Sequence, residues 1–188
     1  MNKPLLLFTA PVGTRSGYGA HSRDIVRSLI AMDRFDIKIF PVRWGSTPQN
    51  ALNDKDPNDK GIVERLLQNP NMERQPDIHI HCVVPNEFMA LGKYNIGITA
   101  GIETTKISPS WIEKSSVVDK VITISNHSKQ TFEDTVYTAI DEQTGQKIDF
   151  KCVSCKYEFT SAKAECPYCG DYESVLERGV TLNELLTF

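Results

Sequence analysis

Two Cys-x-x-Cys knuckles, Cys152-Val153-Ser154-Cys155 and Cys166-Pro167-Tyr168-Cys169, stand ten residues apart near the end of this 188-residue chain. Four thiolates at this spacing match a structural zinc ribbon, in which one Zn²⁺ is held tetrahedrally. A closed Cys₄ shell leaves no coordination position for water or substrate, so a metal held this way folds its segment and catalyses nothing. The constraint is also energetic. A segment of about forty residues cannot bury enough apolar surface to fold alone, and the metal supplies the missing free energy.

The ribbon has a second reading, as a docking module. Between Phe150 and Phe188 four basic residues stand against six acidic ones, and a Cys₄ zinc site adds further negative charge. That balance disfavours a phosphate backbone. Tyr157, Phe159, Tyr168 and Tyr172, with the apolar end Leu182, Leu185, Leu186 and Phe188, suit a protein surface better.

A hydrophobic content of 40% with 24% charged residues is that of a soluble globular chain, long enough for one ordinary domain and a small appendage. No apolar run approaches a membrane span. The opening Leu5-Leu6-Leu7-Phe8, between Pro4 and Pro11, suits a first buried strand and its turn better than a signal peptide. The expected location is therefore cytoplasmic, in keeping with cysteines that serve as metal ligands and not as disulfides. A formal charge of −3 argues against a general nucleic-acid binder.

Composition divides the chain near residue 138. Before it, short β-branched runs alternate with amphipathic stretches, the pattern of βαβ units around a Rossmann-like parallel sheet. Strands are expected at Pro4 to Thr9, Asp36 to Val42, Asp77 to Val84, Tyr94 to Thr99 and Lys120 to Ser125. Helices are expected at Tyr18 to Met32, Asp59 to Gln68, from Ser108-Pro109 onward, and Asn126 to Tyr137, each with apolar residues at helical spacing or a capping signal. Arg43 to Asp59, polar and holding Gly45, Pro48 and Pro57, reads as a long surface loop. The domain plan is thus an α/β domain over 1–138, a linker over 139–148, and a small β zinc ribbon over 149–188.

After the first strand comes Ala10-Pro11-Val12-Gly13-Thr14-Arg15-Ser16-Gly17-Tyr18-Gly19-Ala20-His21-Ser22. Three glycines between a buried strand and a helix permit a tight turn, and the helix N-terminus offers N–H groups to an anion. Gly13, Gly17 and Gly19 fit neither the G-x-G-x-x-G dinucleotide fingerprint nor a P-loop. Such a turn serves structure as readily as it serves a ligand.

Three segments together carry a family likeness: Ser16-Gly17-Tyr18-Gly19-Ala20-His21-Ser22, Gly97-Ile98-Thr99-Ala100-Gly101-Ile102-Glu103-Thr104-Thr105, and Val121-Ile122-Thr123-Ile124-Ser125-Asn126-His127-Ser128-Lys129. With the opening strand, they resemble the N-terminal half of GT-B glycosyltransferases over about residues 3 to 137. The closest likeness is to the group 1 (family 4 type) enzymes, including forms common in phage genomes. The resemblance implies transfer of a sugar from a nucleotide-sugar donor to a carbohydrate or glycosylated acceptor, in a cleft between two Rossmann-like domains. It implies that Gly17, Tyr18 and Gly19 lie nearest the reaction centre. His21 and Glu103 are then the catalytic candidates, and Thr104, Ser125 and Ser128 are further substrate contacts.

The chain departs from this family where the donor-binding domain should begin, and the two knuckles follow instead. The resemblance therefore implies a partner protein that supplies the donor half. On its own the chain lacks a cationic clamp for the donor phosphates.

Other residues have structural readings beside functional ones. His79 and His81 alternate on Asp77-Ile78-His79-Ile80-His81-Cys82 and share one face, opposite Ile78, Ile80 and Cys82. They are either structural polar residues or two ligands lacking a third. Cys82 reads as a buried core thiol. His21 is either a general base or a hydrogen-bonding neighbour of its loop. Glu103 is either an acceptor contact or a cap, and Ser125 and Ser128 either cap a helix or touch a ligand. Trp44 and Trp111 read as packing anchors, with sugar stacking as the alternative.

Overall fold

The computed structural model describes residues 3–69 and 72–135, and, as backbone only, five short strands beyond them. Five parallel strands form one sheet: β1 (Leu5–Ala10), β2 (Asp36–Pro41), β3 (Ile78–Cys82), β4 (Tyr94–Thr99) and β5 (Lys120–Thr123). Their spatial order is β2-β1-β3-β4-β5. The chain winds outward from β1 to β2, then crosses back over β1 and winds the other way. Strand order therefore reverses between β1 and β3, and the crevice at the carboxyl ends of these two strands is where open α/β sheets bind ligands.

Four helices connect or follow the strands: α1 (Gly17–Met32), α2 (Pro57–Val63), α3 (Pro109–Ser115) and α4 (Asn126–Asp134). A single 3₁₀ turn spans Pro85–Glu87. All six residues of β1 are buried, as expected of a central parallel strand covered on both faces. On one face, Leu6, Phe8 and Ala10 pack with Ile37, Ile39, Ile80, Cys82 and Ile98 around Val26 of α1 and Ile62 of α2. Ile25, Leu29 and Ile30 flank Val26, so α1 presents the apolar stripe its sequence spacing implies. On the other face Phe88 lies over Gly97, where a Cβ would come within 2.5 Å of the ring.

Three helix and loop boundaries differ from the expectation. The second helix ends at Val63, and Leu66 and Leu67 are not helical. Arg65 O instead accepts the Ile39 N–H and Leu67 N–H donates to Ile39 O, at 2.9 and 2.8 Å, so this segment lines the outer edge of β2. The apolar i, i+3, i+4 spacing of Ile62, Val63, Leu66 and Leu67 suits either state, and unpaired β2 backbone groups decide the outcome. The second helix starts at Pro57, two residues before its expected start at Asp59, and Asp59 itself is buried. The fourth helix is described to Asp134 and capped by Thr135, with Val136 and Tyr137 outside the described residues.

Beyond Thr135, β6 (Ala139–Ile140) pairs antiparallel with β7 (Lys147–Ile148) within the segment read as a linker. Separately, β8 (Phe150–Cys152) pairs antiparallel with β9 (Glu158–Phe159) and with β10 (Val175–Glu177). Cys152 closes β8 opposite Val175. Cys155, Cys166 and Cys169 lie outside the described residues, so the expected zinc ribbon does too. Among the described residues no group of three or more His, Cys, Asp or Glu side chains could hold a metal ion, and no helix is long and apolar enough to cross a membrane.

Candidate functional site

The glycine turn leaves β1 at Ala10 and is held by its own polar groups. Pro11 O accepts both the Thr14 N–H and the Thr14 hydroxyl, at 3.0 and 2.9 Å. Ser16 caps α1 by accepting the Gly19 N–H at 3.0 Å, and its hydroxyl lies 2.7 Å from that of Thr14. Arg23, one helical turn and more into α1, donates to Val12 O and Thr14 O at 2.9 and 2.6 Å. The turn's carbonyls thus face a guanidinium that the fold itself provides.

The three glycines separate sharply in this setting. At Gly19 a Cβ would sit 2.3 Å from Thr14 O and 2.9 Å from Pro11 O, both backbone atoms, so only glycine lets α1 start this close to the turn. Gly13 meets the Gln49 amide, the end of a flexible side chain. Gly17 meets nothing within 4 Å and is exposed.

The segment between β2 and α2 folds back over this turn. Ala51 N–H donates to Gly13 O at 2.9 Å, and Arg15 reaches the Asn50 side chain and carbonyl. Its far end is pinned by Asp59, whose carboxylate accepts the Asn53 N–H at 3.0 Å and Arg27 Nη2 at 2.7 Å. Burial alone would raise the Asp59 pKa, but these two donors outweigh it and hold the carboxyl below its ordinary value.

Tyr18 joins the turn to the other segments of interest. Its ring lies against Trp44, centroids 4.5 Å apart. Its hydroxyl is 2.9 Å from Thr99 Oγ1 and accepts the Ala100 N–H at 2.9 Å. Burial pushes the Tyr18 pKa up, partly offset by these two bonds, and the Glu103 carboxylate pushes it further up. The phenol therefore stays protonated and works as a hydrogen-bonding strut.

Ala100 O in turn accepts the Ser128 hydroxyl at 2.8 Å. Ser125 caps α4 by accepting the Ser128 N–H at 3.0 Å, and donates its own hydroxyl to Ser128 Oγ at 3.0 Å. Between them Gly101 takes a left-handed conformation, φ +78°, with Ser128 Cβ only 2.6 Å from where its own Cβ would be. Two helix N-termini are thus tied to the end of β4 through one residue, Ala100.

Of the residues expected at the site, Gly17, Tyr18, Gly19, Ser125 and Ser128 are brought to the carboxyl edge of the sheet, and Glu103 and Thr104 follow the same strand end. The hydroxyls of Tyr18, Ser125 and Ser128 are engaged within the fold: Ser125 caps α4, and Ser128, inside α4, bonds Ala100 O. Thr104 Oγ1 donates to Lys106 O at 3.0 Å, and Thr104 O takes a bond from Thr131. His21, in the first turn of α1, and Glu103 are exposed and have no hydrogen-bond or ion-pair partner among the described residues. Arg23, Trp44, Ala100 and Gly101 belong to the site without having been expected there. Ala100 and Gly101 lie inside a family-like segment, but their role is a backbone one that side-chain chemistry does not signal.

His79 and His81 share a sheet face as expected, and both are buried. His79 Nδ1 is 3.1 Å from Met89 O and its Nε2 is 3.0 Å from Thr9 Oγ1, while the His81 ring lies tilted against those of His79 and Phe88, centroids 5.3 and 6.2 Å away. Burial pushes the His79 pKa down to about 4 and that of His81 to about 3, the latter also through its neighbour. Both rings are therefore neutral core groups at pH 7. Cys82 is a buried thiol whose pKa burial raises. Trp111 packs against Phe132 and donates to Asn86 Oδ1 at 3.0 Å.

No family model, no curated protein and no solved structure matches this chain.

Proposed function

We propose that residues 3–135 are the acceptor-side half of a GT-B-type sugar-transfer cleft, using a nucleotide-sugar donor whose binding half comes from a partner protein. The observation that supports this reading is the link from Tyr18 through Ala100 to Ser128, which gathers the three family-like segments at the carboxyl edge beside the strand-order reversal. In this reading His21 takes the proton of an acceptor hydroxyl as the sugar passes from the nucleoside diphosphate to that oxygen. Glu103 and Thr104 hold the acceptor. Gly17 offers open backbone to the donor, and Gly19, Tyr18, Ser125 and Ser128 keep the edge rigid. Cys152, Cys155, Cys166 and Cys169 bind one structural zinc and fold the segment that follows.

Calorimetric titration of the full chain with UDP-glucose, UDP-N-acetylglucosamine and GDP-mannose, with and without candidate partners, tests this. Weak binding alone, strengthened by a partner and followed by turnover, is expected. Absence of binding and turnover under every combination overturns it.

One observation favours a second reading, a non-catalytic scaffold with the ribbon as a protein-interaction module. The polar groups of the glycine turn are satisfied internally, and the 43–56 segment lies over Gly13. A metal-loaded, folded protein without any turnover supports that reading.

A further inference from the structure

β5 ends the sheet with one side unpaired: its described ladder runs to β4 alone. An edge strand presents a row of backbone N–H and C=O groups that another extended chain can complete. Proteins usually blunt such edges with proline or bulges, and 120–125 contains no proline. Instead Ile122 and Ile124 are 40% and 60% exposed, the latter the most exposed large apolar side chain among the described residues.

A groove of about 330 Å³ follows this edge. Every described residue lining it belongs to the stretch 120–126 or to the first turns of α4, and none to β4, so it lies on the outer side of the strand. Lys120 stands at one end and Lys129 at the other, the latter leaning on Glu133 at 3.5 Å. Among the described residues the lining includes no carboxylate. The nearby Asp119 carboxylate is turned inward, accepting the Asn95 N–H at 2.7 Å.

From this combination we infer that the β5 edge is a docking site for an extended, acidic segment of a partner protein with alternating apolar residues, which adds as a sixth strand. Backbone pairing supplies the affinity, and the side-chain row supplies the selectivity. Alternate residues of the added strand meet Ile122 and Ile124, while its carboxylates meet Lys120 and the first turn of α4. The site stands whether or not the carboxyl edge moves a sugar.

The test uses the full chain and a fluorescein-labelled heptapeptide, Glu-Val-Glu-Val-Glu-Val-Glu, with its lysine counterpart as control, read by fluorescence anisotropy. The acidic peptide is expected to saturate and to bind at least about tenfold tighter than the control. Its binding should slow amide exchange over residues 120–124. Ile122→Thr with Ile124→Ser should weaken it at least about tenfold at an unchanged melting temperature, and Lys120→Glu should reduce the preference for the acidic peptide. Absence of saturation, equal binding of both peptides, or binding indifferent to the isoleucine changes overturns the inference. Sedimentation showing a wild-type dimer that the isoleucine changes dissolve also overturns it, by assigning the edge to a second copy.

Discussion

The Tyr18 hydroxyl accepts the backbone N–H of Ala100 at 2.9 Å, across 82 residues of sequence. This bond makes the start of α1 and the end of β4 one unit. Because Ala100 O takes Ser128 at the same time, a change at Tyr18 is transmitted to the start of α4.

Tyr18→Phe should therefore cost stability out of proportion to one oxygen atom. It strips the partner from the Ala100 N–H, while Thr99 Oγ1 keeps the Gly101 N–H at 3.2 Å, and leaving one part-buried polar group unpaired costs roughly 1–3 kcal/mol. Urea denaturation should show the loss with an unchanged slope. Hydrogen exchange should quicken at residues 99–101 before it does in β1.

Gly17 and Gly19 should respond in opposite ways to alanine. Gly19→Ala forces a Cβ onto Thr14 O and should destabilise by roughly 1–3 kcal/mol. Gly17→Ala meets open space and should leave stability unchanged or raise it by up to about 1 kcal/mol. A Gly17→Ala protein of normal stability that no longer binds nucleotide-sugars would assign that residue to the ligand; retained binding would assign the turn to structure.

Acid should destabilise the domain in two successive, partly overlapping windows. The His79 and His81 pKa values are about 4 and 3 in the folded chain, below the unfolded value near 6.5. Their neutral burial carries no penalty above about pH 6.5, and stability falls as pH drops from there toward 4 and 3, because the unfolded chain takes up protons first. At about 1.4 kcal/mol for each pH unit and ring, either ring alone is worth several kcal/mol by about pH 3. Asp77 acts lower. Its carboxylate is held below the ordinary range first by Lys93, then by the Leu5 N–H and Arg74, so its contribution is present above about pH 4 and lost below it. Melting curves from pH 7.5 to 3 check both windows, and His81→Phe should shrink the upper one selectively.

Strong chelation should release about one zinc per chain and unfold residues 149–188, while the melting of 3–135 stays in place. Metal analysis beside circular dichroism reads both. Ser at any one of Cys152, Cys155, Cys166 or Cys169 should reproduce the effect. A purified chain that holds no zinc, with its C-terminal segment still folded, would falsify the Cys₄ assignment.

The five strands are legible in the sequence because burial on both faces of a parallel sheet demands continuous β-branched or leucine-rich runs, a local property. Leu5–Ala10 is the clearest case. The helix starts at Ser108 and Ser125 are legible for the same reason, although only the Ser125 side chain makes a capping bond and Ser108 makes none to the backbone. So is the shared face of His79 and His81, which follows from a period of two.

Tertiary contact alone decided the rest. Leu66 and Leu67 leave the helix their spacing allows because the outer edge of β2 offers backbone partners. Asp59, expected at a polar helix start, is a buried anchor because Arg27, 32 positions away, meets it. Whether Gly17 and Gly19 are spacers or contacts depends on where Thr14 O and Pro11 O come to lie, and the open flank of β5 depends on which strand takes the end of the sheet. Pattern along a chain reports which surfaces need to be covered; only closure of long-range contacts determines what covers them, because that free energy belongs to pairs and not to single residues.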